Sequence, residues 1–249
     1  MHPKAVLFDL YQTLINVDTS REKEGKEAGF REIVVPYLRQ KGTPEPEASL
    51  VQQRYSDELR NFYKDHDSKL YQHNFSATLS IVFNKHYGLD VSDAEINDLI
   101  YEFRKISRGF LTLYEGVREA LNALLSRYTL AVASHTQGMY TERELEELDI
   151  LQYFRHRIYS SDIGFKKTSD KFYQSCLEIV GLDSGDCVMV GDNLYEDMYM
   201  ARKNGLHIVW IINPLTKNKR GAEIEPEASL PIEDIQNLPD IIDGILGQN

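Results

Sequence analysis

The sequence predicts an α/β fold: a parallel sheet with helices on both faces and a helical block inserted after the first strand. Three observations carry this. The run Ala5–Phe8 is apolar without alternation, as a strand buried on both faces should be. After "LYEG", near residue 116, the chain alternates helix and strand patterns to its end. Between these stretches, Arg21 to Leu111 is polar, charged and helix-periodic. The expected division is a core of residues 1–15 and 112–249 with an insertion at 16–111.

Each element has its own signal. In the inserted block, "FREIVVPYLRQKG" carries apolar residues at helical spacing and stops at Gly42. "NFSATLSIVFNKHYGL" stops at Gly88. "DAEINDLIYEFRKIS" follows Ser92, with Glu95 three residues on, a capping-box spacing. In the core, the helices "VREALNALLSRY", "ERELEELDI", "SDKFYQSCLEIVG" and "LYEDMYMARKNG" lead in turn to the strands "TLAVAS", "HRIYSS", "CVMVGD" and "HIVWII". A last helical stretch begins near Ile232, and "NPLTKNKRGAEIEPEAS" reads as the longest loop.

Composition narrows the function. The 249 residues, 42% hydrophobic, suffice for one sizeable core with a smaller insertion. Lys+Arg 28 against Asp+Glu 39 gives a net charge of −11, which argues against a large nucleic-acid footprint. The two cysteines, Cys176 and Cys187, lack CxxC spacing and read as buried packing residues in a reducing, cytoplasmic compartment. "MHPKAVLFDL" enters a strand at once, leaving no room for a signal peptide. No apolar run approaches the roughly 20 residues of a membrane helix. The expected partner is therefore a small molecule; the oligomeric state has no sequence signal.

Ligands of open parallel sheets bind beyond the carboxyl ends of the strands. There the sequence places Asp9, Tyr11 and Thr13 after the first strand, and Ser134 and His135 after "LAVA". Lys166 and Lys167 follow "RIYS", and Asp192 and Asp197 follow "CVMV". Each has an ordinary alternative: Asp9 as a turn former, Ser134 as a cap, Asp197 as a first-turn helix acid.

Four stretches in order, "LFDLYQTL", "LAVASH", "GFKKTSDKFY" and "VMVGDNLYEDMYMARKNG", resemble the motifs of the haloacid dehalogenase superfamily, which is mostly phosphatases. The resemblance spans nearly the whole chain and implies a Rossmann-like core with an inserted helical cap. It implies Asp9 as a nucleophile that attacks phosphorus and forms an aspartyl phosphate, later hydrolysed by water. It implies Mg2+ held by Asp9, Asp192 and the Tyr11 carbonyl, with Asp197 supporting the metal or orienting Lys167. Lys167 would neutralise the nucleophile and the phosphate, and Ser134 and Thr13 would hydrogen-bond phosphate oxygens. The substrate would be a small phosphorylated metabolite, selected by the cap. Thr168 follows the lysine where the family usually has proline.

Tyr11 departs from the phosphatase pattern, which has a second Asp there to carry protons. A tyrosine of ordinary pKa about 10 does this poorly at neutral pH. Losing such a group costs about 10²–10⁴ in rate. The 2-haloacid dehalogenase branch does place Tyr here, in a pattern like D-x-Y-G-T-L, although this chain has Gln12 in place of the Gly. That branch uses no metal, so Asp9, Asp192 and Asp197 would repel a haloacid unless an arginine such as Arg21, Arg31 or Arg54 offset them. Three readings follow: a Mg2+-dependent phosphohydrolase, favoured by the fourth motif; a dehalogenase; and a phosphate-binding protein with little turnover. His135 is the candidate to replace the missing acid, and otherwise a substrate contact. His73, in "DSKLYQHNF", reads as a helix-start residue near the site.

Overall fold

The structure, a computed structural model, describes residues 4–18, 20, 22–44, 46–216 and 224–247. Six strands form one sheet in the order β5-β4-β1-β6-β7-β8. They are β1 (Ala5–Phe8), β4 (Thr129–Ser134), β5 (His156–Tyr159), β6 (Cys187–Gly191), β7 (His207–Ile212) and β8 (Ala228–Pro231), and every pairing is parallel. β1 lies in the middle, with Phe8 level with Val132 of β4 and Val190 of β6. Asp9, Ser134 and Asp192 therefore leave three adjacent strands at one end.

Alternation along these strands feeds two cores. Val6, Phe8, Leu130, Val132, Val188 and Val190 face the helices α6 (Val117–Leu125) and α11 (Leu238–Leu246). Ala5, Leu7, Ala131, Ala133 and Met189 face α9 (Asp170–Val180) and α10 (Met200–Lys203). Both faces are covered, which explains the near-continuous apolar runs. Cys176 and Cys187 are free thiols inside the second core.

The inserted helices are α1 (Glu22–Gly29), α2 (Val35–Gln40), α3 (Ala48–Asp65), α4 (Phe75–Tyr87) and α5 (Asp93–Ser107). They enclose a third core around Phe30, Leu38, Val51, Phe83 and Ile100. A wide π turn at Phe30–Val34 joins α1 to α2 just before Pro36. α5 carries both bonds of the Ser92–Glu95 capping box, and α4 ends on a left-handed Gly88. An antiparallel ribbon of β2 (Ile15–Val17) and β3 (Leu111–Leu113) closes the base of the block.

The structure differs from the sequence reading in four places. α3 is the longest of the inserted helices, and the ribbon stands where no strand was predicted. α7 (Gly138–Glu147) begins one turn before "ERELEELDI". β8 lies within and just beyond the predicted loop at 213–229, of which residues 217–223 are outside the described residues. Among the described residues, no helix is long and apolar enough to cross a membrane.

Candidate active site

Asp9 sits one residue past β1, its N–H bonded to the Val190 carbonyl at 2.9 Å. One carboxylate oxygen, Oδ1, accepts from Ser134 Oγ at 3.0 Å and from Lys167 Nζ at 2.6 Å. Lys167 also donates to Asp197 Oδ1 at 2.6 Å, so a buried ammonium bridges two carboxylates. Burial opposes the charge on Lys167, but Asp197 and Asp9 outweigh it and hold the ammonium well above the ordinary lysine range.

Asp192 follows β6 and is gripped by hydroxyls. Thr13 donates to its Oδ1 at 2.9 Å, and Thr216 donates to its Oδ2. Burial and the neighbouring Asp9 push its carboxyl above the ordinary range, with Thr216 and Thr13 pulling it back. Asp197 is set by the following turn, where its Oδ2 accepts from the Asn193 N–H at 3.0 Å. Gly191 makes this possible: a Cβ there would lie 2.4 Å from the Asp197 carboxylate. Asn193 caps the turn by accepting from the N–H groups of Tyr195 and Glu196.

These acids converge. Asp9, Asp192 and Asp197 each offer an oxygen, and the three oxygens lie within 4.8 Å of one another. One ammonium, Lys167, cannot balance three carboxylates. An oxygen-only donor set with surplus negative charge fits a hard divalent cation. The pocket they line, about 220 Å³, also includes Tyr11, Ser134, His135 and Glu196.

His135 follows β4, and both its ring nitrogens face oxygens. Nδ1 lies 3.0 Å from Glu196 Oε2, and Nε2 lies 2.9 Å from Gln72 Oε1. Burial would raise Glu196, but His135 and then Lys167 and Lys166 hold it below the ordinary carboxylate range. Gln72 belongs to a segment between α3 and α4 that is laced to the Lys167 loop. Gln72 N–H donates to the Gly164 carbonyl, and Lys166 N–H donates to the Leu70 carbonyl, both at 2.9 Å. Thr168 donates through its side chain to the Lys69 carbonyl, which gives this departure from proline a use.

Tyr11 turns away from proton chemistry. Its hydroxyl donates to Glu144 on α7 and lies 3.2 Å from Thr141 Oγ1. Glu144 is fully buried and salt-bridged to Arg104 at 2.8 Å and Arg108 at 3.5 Å, from the end of the inserted block. Burial and Glu144 push the Tyr11 hydroxyl well above its ordinary range, so it stays a donor to Glu144. Gln12 adopts φ +64°, the left-handed conformation for which glycine is favoured. Its side chain compensates: Nε2 donates to the Val17 carbonyl at 3.2 Å, and Oε1 accepts from Tyr114 at 2.7 Å.

Asp9, Tyr11, Ser134, His135, Lys167, Asp192 and Asp197 thus border one pocket and Thr13 bonds to Asp192, whereas Lys166 turns to the Leu70 and Ser68 carbonyls. Of the suggested arginines, Arg31 and Arg54 do not line the pocket, since Arg31 pairs with Glu32 and Arg54 lies over the Tyr87 ring; Arg21 lies outside the described residues. Glu196, Gln72, Glu144 and Arg104 were missed. Glu196 stands inside the fourth motif between Asp192 and Asp197; the other three carry no local signal.

Comparison with known proteins identifies the family. The family described as haloacid dehalogenase-like hydrolase matches residues 6–211. A glyceraldehyde 3-phosphate phosphatase from Pyrococcus abyssi is 26% identical over 83% of this chain and 80% of its own. An N-acylneuraminate-9-phosphatase from Rattus norvegicus is 22% identical over 97% of this chain and 94% of its own. Among solved structures, a 2-haloacid dehalogenase from Pseudomonas syringae pv. Tomato superimposes with a TM-score of 0.66 at 23% identity, covering 97% of this chain and 99% of its own. At that identity the superposition speaks for the fold. The chain belongs to the haloacid dehalogenase-like hydrolases, and it is an enzyme of that family with phosphatase relatives.

Proposed function

We propose that this chain is a Mg2+-dependent hydrolase of small phosphomonoesters with Asp9 as its nucleophile. The observation that carries the reading is the Lys167 ammonium shared between Asp9 and Asp197 beside Asp192. This charge pattern needs a cation and suits a phosphate. Asp9, Asp192 and Asp197, with the Tyr11 carbonyl, would hold Mg2+, which when bound offsets phosphate charge at the pocket. The relatives named for glyceraldehyde 3-phosphate and N-acylneuraminate 9-phosphate support a phosphomonoester. The acidic chain argues against nucleic acid, and the two buried free thiols support a reducing cytoplasm.

In this reading Asp9 attacks phosphorus as the bond to the leaving oxygen breaks. Ser134 and Lys167 hold Oδ1, which leaves Oδ2 to face the phosphate. The leaving oxygen takes a proton, and water then attacks phosphorus, releasing phosphate and restoring Asp9. With Tyr11 committed to Glu144, His135 takes the proton role: Glu196 steadies Nδ1, and Nε2 exchanges its bond to Gln72 Oε1 for the leaving oxygen. His135→Ala should lower kcat for poor leaving groups by roughly 10²-fold. The loss for p-nitrophenyl phosphate should be far smaller; equal losses would reduce His135 to positioning.

The same Tyr11 commitment favours a second reading, dehalogenation, in which Asp9 attacks carbon and a halide leaves without a proton. A screen of phosphomonoesters and 2-haloacids, with chelator and with Mg2+, separates them. Phosphatase turnover that vanishes in chelator and returns with Mg2+ is expected. Fluoride release from fluoroacetate that persists in chelator, without phosphatase activity, would establish the dehalogenase. Binding of a phosphate analogue without any turnover would make the chain a phosphate-binding protein.

A further inference from the structure

Two acceptor oxygens stand where the leaving group of a phosphate ester would lie. In an in-line displacement the leaving oxygen departs on the side opposite the nucleophile. Asp9 and Asp192 sit at strand ends, whereas His135 and Glu196 meet the inserted block. There Gln72, from the segment between α3 and α4, closes over His135, its Oε1 lying 2.9 Å from Nε2. That side of the pocket is walled by His135, Glu196 and the Tyr11 ring.

Gln72 presents an oxygen to this side. Its Nε2 donates to the His73 carbonyl at 3.1 Å, which also accepts from Gln137 Nε2 at 2.9 Å. Turning the Gln72 amide over would set its oxygen against that carbonyl. His73 is itself held in place. It lines an aromatic chamber of the inserted block, where Phe30–Tyr55, Tyr55–Phe75, Phe75–Phe103 and Phe103–Phe30 close a circuit of rings with centroids 5.8, 5.1, 5.4 and 5.3 Å apart. The hydroxyls of Tyr55 and Tyr63 lie 3.2 and 3.3 Å from its two ring nitrogens. The chamber anchors the residue that aims Gln72 Oε1 at the pocket.

Glu196 supplies the second acceptor. Its Oε2 is engaged by His135 Nδ1 at 3.0 Å, and its Oε1 makes no hydrogen bond among the described residues. When His135 Nε2 turns to the leaving oxygen, Gln72 Oε1 loses its donor too. Both oxygens then have room for hydrogens brought by the leaving group. The side-chain donors of the lining are spent elsewhere: Tyr11 on Glu144, Ser134 on Asp9, and Lys167 on Asp9 and Asp197. The Asn193 amide, also in the lining, carries no charge. A carboxylate on the leaving group would face Glu196 and leave both acceptors unpaired. The pocket, about 220 Å³, is smaller than the roughly 300–1,000 Å³ typical of sites for drug-sized ligands, which suits a short group.

We propose that Gln72 and Glu196 select the leaving group, a short alcohol that carries a hydrogen-bond donor, hydroxyl or ammonium, and no carboxylate. The proposal rests on the phosphohydrolase reading for where the leaving group lies, and binding tests it apart from turnover. Calorimetry with Mg2+ present compares four phosphonates of similar length. 3-Hydroxypropylphosphonate and 3-aminopropylphosphonate end in a donor, propylphosphonate in a methyl and 2-carboxyethylphosphonate in an acid. Both donor compounds should bind at least roughly threefold tighter than the methyl compound and tenfold tighter than the acid. Gln72→Leu should bring the hydroxyl-to-methyl ratio near one. Glu196→Gln should shrink the ammonium-to-acid ratio at least about fivefold. Equal affinities, tighter binding of the acid, ratios that neither variant moves, or binding of none of the four would overturn the proposal. Mg2+-dependent turnover of acetyl phosphate by the unmodified protein reports the phosphohydrolase reading separately. With that turnover intact, flat or inverted affinities sink the selectivity alone; with it absent, the phosphohydrolase reading fails whatever the affinities.

Discussion

The acidic pocket and the aromatic chamber lie side by side but are held by different forces. The pocket is assembled from the ends of β1, β4 and β6, so backbone pairing sets its geometry and buried charge sets its chemistry. The chamber, a cavity of about 380 Å³, is walled mostly by helices of the inserted block and closed by Gln137 and Tyr140 at the start of α7, so side-chain packing and the Gln137 hydrogen bonds set its shape. Strand ends in a parallel sheet are fixed in register, so acids placed there keep their separations. Helix faces can be repacked with volume-conserving changes at modest cost. In the proposed function the sheet sets the reaction type and the helices the selectivity. The two regions are joined by few polar contacts: Tyr11 to Glu144 to Arg104 on one side, and Gln72 to His135 on the other.

The sharpest way to break the contrast is to remove the charge at the centre of the pocket. Lys167→Met leaves Asp9 and Asp197 buried without their ammonium. Breaking such a buried pair costs roughly 3–5 kcal/mol. Chemical denaturation should record that loss together with the loss of turnover. Lys167→Met/Asp197→Asn should recover much of the stability and none of the activity. Recovery of both would mean that Lys167 serves folding alone.

The chamber should answer to pH where His73 titrates. Its pKa is lowered from 6.5 to about 4, chiefly by burial and then by Lys166 and Lys26. Between these values the unfolded chain binds the proton more readily than the folded one, so stability rises with pH. This contribution is complete above about 6.5, erodes as pH falls toward 4, and amounts to roughly 3 kcal/mol at most. His73→Gln should flatten denaturation midpoints measured across that window. An unchanged pH profile would contradict a buried neutral His73.

The joint between the regions should matter less. Tyr11→Phe removes one hydroxyl from Glu144 and should cost roughly 1–2 kcal/mol of stability. The kcat for a phosphomonoester should stay within about threefold, since the hydroxyl carries no proton in this account. A fall of 10²-fold would return Tyr11 to the proton-transfer machinery. The smallest effect is expected at Gln12→Gly: relief of the left-handed backbone, worth roughly 1 kcal/mol, is offset by loss of the side-chain bonds to Val17 and Tyr114. Thermal unfolding should therefore change by only a few degrees.

The same division explains what could be read from the sequence. Asp9, Ser134, Lys167 and Asp192 were legible because each follows a recognisable apolar run and topology brings those run ends together. α5 was legible to the residue because Ser92 and Glu95 mark its start. α3 was not, although it spans 18 residues, because Val51 is its one fully buried side chain among the described residues and gives little periodic signal. β8 was hidden by its proline and by its setting within a polar stretch. The pairing of Glu144 with Arg104 joins residues 40 apart in sequence on two amphipathic helices, and either reads alone as a surface charge. The aromatic circuit was equally hidden, since rings at helical spacing look the same around a cavity as in a solid core.

The central claim is that Asp9 itself carries the phosphoryl group. Acid quench of the enzyme during turnover of a phosphomonoester with Mg2+, followed by borohydride reduction and peptide mass spectrometry, reads it directly. The account predicts homoserine at position 9, formed by reduction of phosphoaspartate, and none in the absence of substrate. Steady turnover with position 9 still aspartate under the same quench, or homoserine at another aspartate, would contradict it.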